Sequence, residues 1–206
     1  MNEVPLHPAL VHLPIAFVLF APLFAAYVLR EIHRLQRAAQ TVPDGGDRAN
    51  VARDFERRHW RLVALWAFVQ AAVVYATMVT GELDADRFED FLTTGETSAS
   101  ITPAERAHTL EHIEAHEDGA GLLLFASIVV FFLAVIGMKP TPTARWWRCA
   151  TIAAQLFALG VCVYTARLGG ELVYIHGAAR AVESQIVSPG TQSPGTPQTQ
   201  HTHTHE

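Results

Sequence analysis

Charge is scarce in this sequence. Only 17% of its 206 residues are Asp, Glu, Lys or Arg, against about 25% in ordinary soluble domains. The formal net charge of −5 argues against a nucleic-acid binder. Cysteine is nearly absent: Cys149 and Cys162 are the whole supply. Thirteen steps of helix would hold them about 20 Å apart, so they cannot pair with each other. There is no CxxC or CxxCH, which excludes a zinc ribbon and a covalently attached c-type haem. GxSxG and HExxH are missing too, and HIEAH at 112–116 has its glutamate in the wrong place for a zinc protease. A hydrolase is not indicated, and whether the chain is an enzyme at all is left open.

What the chain does have is apolar length. Half of its residues are hydrophobic. Four segments, about 9–29, 62–80, 119–138 and 149–168, approach the ~20 residues needed to cross a bilayer. None carries a formal charge before Arg167. The first is not read as a cleaved leader, because a basic n-region is missing, Glu3 stands there instead, and the apolar run is too long. The expected fold is therefore all-α: an integral membrane four-helix bundle over 1–186 and a disordered Pro/Thr/His tail over 187–206. That tail has too little apolar content for a core.

Basic residues set the expected orientation. Arg30, Arg34, Arg37, Arg48, Arg53, Arg57, Arg58 and Arg61 lie between spans one and two. Lys139, Arg145 and Arg148 lie between spans three and four. That is 11 of the 15 basic residues on one side, read as cytoplasmic. Both termini are then extracytoplasmic, in the cytoplasmic (inner) membrane. Trp60, Trp66, Trp146 and Trp147 are read as markers of the cytoplasmic boundary. On the same side, His33 and His59 are read as merely solvated. Gln70, Gln155, Ser127 and Thr77, polar but uncharged within the spans, are read as hydrogen-bonding between helices.

Acidic residues and histidines gather at the other end. The loop from 82 to 118 is too long to lack structure. Thr102-Pro103-Ala104-Glu105 has the form of a capping box with proline at the first helical position. A helix is expected to run from there into the third span, with Gly119 and Gly121 as points where it bends. His108, His112 and His116 recur on it every four residues. His7 and His12 open the first span, and Arg167-Leu168-Gly169-Gly170, Glu171, Tyr174 and His176 close the fourth. Topology thus converges His7, His12, His112, His116 and His176 on one membrane face.

Three chemistries suit such a cluster. A b-type haem needs axial histidines on facing helices at matching depth. His12 and His116 are the expected ligands, with His7 and His176 near them and Arg167 paired to a propionate. Gly169-Gly170 would then let a flat ring or another helix approach the backbone closely. A bare copper, zinc or iron ion is the second option, held by His112, His116, His12 and His176. The third is a proton relay or pH sensor. Against these stand purely structural roles: capping by His7, a bond from His12 to a carbonyl freed by Pro14, and a favourable helix end for His176. The HTHTHE tail is read mainly as solvated, with weak metal chelation as its alternative.

HPALVHLPIAF at 7–17, TGELD at 80–84, His116 before the third span and ARLGGELVYIHG at 166–177 together resemble a bacterial membrane-protein family. It is catalogued as domain of unknown function 2231. The resemblance covers about 6–179 and implies a four-span protein opening with HPxxVHxPI and closing with GGxLVYxHG. His7, His12, His116 and His176 occupy the recurrent positions. Similar regions occur fused to c-type cytochrome domains, so the resemblance implies an electron-transfer setting with an extracytoplasmic cytochrome or other soluble redox partner. It implies no established activity. A structural or partner-binding subunit without cofactor is one alternative, and a metal-ion or proton-coupled transporter is another. The transporter lacks an ionisable residue near the midplane, where such sites usually sit.

Overall fold

The computed structural model of the chain describes residues 11–41, 46–94 and 102–174. Four helices account for nearly all of them: α1 His12–Gln40, α2 Gly46–Thr94, α3 Pro103–Ile136 and α4 Ala144–Tyr174. All four are long and apolar enough to cross a membrane. They pack in a ring in which α1 touches α2 and α4, and α3 touches α2 and α4. Short connections at alternating ends make each neighbour antiparallel, an up-and-down bundle. The residues expected to form the tail, 187–206, lie outside the described residues, as do His7 and His176.

Burial is inverted relative to a soluble bundle. Phe20, Leu23 and Tyr27 on α1, Leu65 and Phe68 on α2, Phe125 and Phe132 on α3, and Phe157 and Val163 on α4 are all exposed. Large apolar side chains pointing outward are unfavourable in water and at home among acyl chains. Inside, small residues predominate: Ala21, Ala25, Ala64, Ala67, Ala126, Ala134 and Ala158. In lipid, close backbone approach through small residues replaces the hydrophobic drive between helices.

Two buried apolar clusters fill the interior. One, with Ile32, Trp60, Ala67 and Val130, lies toward the Arg-rich end. The other, with Val18, Val74, Leu123 and Cys162, lies toward the His-rich end. Between them come the fully buried Gln70, Ser127 and Gln155. Gln70 donates from Nε2 to Ser127 Oγ at 3.2 Å, bridging α2 and α3. Gln155 Oε1 has no partner, so only part of the expected interhelical bonding is present. Thr77 bonds the Val73 carbonyl of its own helix, not a neighbour.

Several sequence expectations need correction. Trp60 does not face outward as a boundary indole would: it is fully buried, with Nε1 donating to the Ala134 carbonyl at 2.9 Å. Trp66 donates to the Phe17 carbonyl and packs on Phe17 and Phe24. Both indoles satisfy their N–H inside the bundle, so only the exposed Trp146 and Trp147 are left as boundary aromatics. His33 and His59 are part-buried, and each bonds the backbone carbonyl four residues earlier through Nδ1. The expected helix into the third span is present, and α3 runs continuously through Gly119 and Gly121.

Candidate functional site

The approach to the site is built by α3. Its capping box is present in full: Glu105 N–H donates to Thr102 Oγ1, and Thr102 N–H donates to Glu105 Oε2. Two orphan donors are thereby satisfied, and Pro103 occupies a position whose N–H would be unbonded anyway. The helix starts well outside the apolar segment and carries its histidines down toward the bundle.

Their exposure grades with depth and phase. His108 is exposed, while His112 and His116 are half-buried. On a helix of 3.6 residues per turn, His116 continues the line of the buried Thr109, Ile113, Leu123 and Val130, so it faces the interior. Its Nδ1 lies 3.0 Å from the Thr165 carbonyl on α4. A carbonyl can only accept, so Nδ1 carries the hydrogen. In the neutral ring the lone pair then sits on Nε2.

Glycine makes this placement possible. A Cβ at Gly169 would meet His116 Cε1 at 2.9 Å, so the missing side chain is the space that the imidazole fills. Of the two expectations for Gly169, close approach of a neighbouring helix is the one met, through His116 of α3, while Gly170 faces open space. A Cβ at Gly119 would lie 2.6 Å from Thr165 Oγ1. That hydroxyl is buried and has no partner.

One turn above, His112 Nδ1 lies 3.9 Å from Glu171 Oε2, and the rings of His108 and His112 are 4.6 Å apart. Glu171 Oε1 accepts from Arg167 Nε at 3.0 Å. Arg167 is thus turned toward a carboxylate of its own helix, though its side chain is largely exposed.

His116, His112, Thr165, Arg167, Gly169 and Glu171 therefore come together from α3 and α4. His12 does not join them. It is exposed, and helical periodicity sets it roughly 160° from the buried stripe of Pro14, Val18, Ala21 and Ala25. His12, expected as a ligand beside His116, points away from the interior because Pro14 and Val18 hold the inward phase of α1. Among the described residues no group of three or more His, Cys, Asp or Glu is disposed to hold a metal ion. Sequence reading missed Thr165 as the carbonyl partner and Glu171 as the bridge between His112 and Arg167. The i, i+4 spacing of Arg167 and Glu171 was the available signal for the latter.

A family model described as predicted membrane protein (DUF2231) matches residues 3–181. No curated protein and no solved structure matches the chain. The match takes in all four helices and both end motifs, and the chain belongs to the DUF2231 family of predicted membrane proteins.

Proposed function

We propose that this membrane protein holds a b-type haem or a single transition-metal ion at its His-rich end, for use in electron transfer. One observation carries the reading: His116 faces the bundle interior with Nδ1 fixed on the Thr165 carbonyl. A second-sphere bond of this kind orients a ligating imidazole and directs Nε2 at the metal. The unpartnered Thr165 hydroxyl beside it supplies a further polar contact for a bound group.

His116 is the primary ligand in this reading. With His12 turned outward, the second ligand falls to His176 or His7, the family positions at the same end of the chain's topology. Arg167, already on Glu171, serves a propionate only by leaving that carboxylate. A bound haem supplies one-electron transfer. The chain's own residues orient the imidazole, exclude lipid and set the local charge. By the distribution of basic residues, this end faces the extracytoplasmic side of the inner membrane, within reach of a soluble redox partner.

A cofactor-free structural subunit is the competing reading. It is favoured by the bonding of His116 and Arg167 to protein groups rather than toward an empty centre. Absorption spectra of His116→Ala and His12→Ala proteins separate the two. Loss of a Soret band in the first with little change in the second supports the ligand assignment. A Soret band unchanged in His116→Ala contradicts it.

A further inference from the structure

The opposite end of the bundle contains a cavity unrelated to the histidine cluster. It lies between α1 and α4, the least extensively packed pair of neighbours. Its volume is about 170 Å³, and its lining is more polar than apolar. His33, Gln36, Glu56, Thr141, Arg145 and Arg148 supply the polar groups. It is too small for a drug-sized ligand, whose pockets span roughly 300–1,000 Å³, and has the scale of a small oxyanion.

The charges around it do not balance. Arg148 is 95% buried and spends itself on protein: Nε donates to the Gly137 carbonyl at 3.0 Å, Nη2 to Glu56 Oε1 at 2.6 Å, and its guanidinium lies 5.2 Å from the Trp60 ring centre. Glu56 has both oxygens engaged, Oε2 accepting from Gln36 at 3.0 Å. Among the described residues, the one carboxylate in the lining is therefore neutralised by Arg148, and Arg145 stands in the same lining without a described carboxylate of its own. His33 directs Nδ1 at the Leu29 carbonyl, so its other ring nitrogen is the one available to the cavity. The first turn of α4, which carries Ala144 and Arg145 into the lining just after Pro142, adds the positive end of a helix dipole. A pocket with this surplus, open at the Arg145 side and walled by the buried Ile32 and Arg148 at its back, favours an anion.

Its position suggests where the anion comes from. The exposed Trp146 and Trp147 directly follow Arg145 in sequence and are placed as indoles at the polar boundary of a bilayer usually are. Basic pockets between membrane helices at this level are where lipid phosphates sit. We propose that this cavity binds a phosphate group, presented by an anionic phospholipid, with Arg145 as its principal charged contact.

Native mass spectrometry of the full chain in phosphatidylglycerol nanodiscs, alongside titration with inorganic phosphate in detergent, tests the proposal. Arg145→Gln is the informative variant, because Arg145 is exposed and lies outside the Arg148–Glu56 pair. Arg34→Gln, at another exposed arginine of the same face, is the control. A retained lipid whose occupancy falls about fivefold or more in Arg145→Gln, but not in Arg34→Gln, supports a lipid phosphate site. Saturable inorganic phosphate binding with the same sensitivity, and no retained lipid, supports a phosphate site filled from solution. Neither kind of binding, or equal losses in both variants, overturns the proposal.

Discussion

Gly169 and Gly170 adjoin in sequence yet differ physically. A methyl group at 169 collides with the His116 ring, whereas one at 170 meets nothing within 4 Å. Overpacking of a well-filled contact costs about 1–3 kcal/mol. Gly169→Ala should therefore lower the melting temperature in detergent, while Gly170→Ala should leave it nearly unchanged. Equal melting of the two variants would contradict the contact. A larger residue-scale effect is expected at the other end. Glu56 holds the buried guanidinium of Arg148, and removing one partner of a buried pair costs roughly 3–5 kcal/mol. Glu56→Gln should destabilise the protein by that order, with part of the loss recovered in Glu56→Gln combined with Arg148→Met. Denaturation of the two variants in one detergent measures the difference.

At the level of elements, α3 owes its clean start to the capping box and its position to the packing of its small-residue stripe. Loss of an N-cap side chain costs about 1 kcal/mol. Thr102→Ala should speed amide exchange over the first turns of α3 without affecting the apolar half, which hydrogen-exchange mass spectrometry resolves. The polar layer between the two apolar clusters makes a less intuitive prediction. Gln155 and Gln70 each carry an unpartnered buried oxygen, but Gln70 also donates from Nε2 to Ser127. Removing an unsatisfied polar group relieves a desolvation penalty. Gln155→Leu should thus be neutral or stabilising, and Gln70→Leu should cost about 0.6 kcal/mol, the usual worth of an interhelical bond in lipid. A marked drop in melting temperature for Gln155→Leu would reveal a bonding partner for that oxygen.

For the molecule as a whole, apolar run length alone made the four helices legible, and the Thr102–Glu105 spacing made the start of α3 legible. The reach of α2 was not legible. It extends over Gly46–Thr94, about 73 Å at 1.5 Å per residue, well beyond a hydrocarbon core of roughly 30 Å. Hydropathy reports only the part in lipid and says nothing of polar helix outside it. The convergence of α3 and α4 at His116 followed from topology, but its direction did not. Whether His12 or His116 turns inward depends on which residues hold the buried phase of each helix, and Pro14 and Val18 take it on α1. Trp60 misled for a related reason: an indole near a span end is read as interfacial, but here its N–H finds a carbonyl on a neighbouring helix. Long-range partners such as Thr165 for His116, 49 residues apart, have no local signature.

The central claim concerns what His116 is positioned to hold, and the most direct measurement is the cofactor content of the purified full chain. Haem extraction and elemental metal analysis, performed on wild type and His116→Ala side by side, should give close to one haem or one transition-metal ion per wild-type chain and a large loss in the variant. A wild-type protein with no Soret band and no stoichiometric metal would contradict the account.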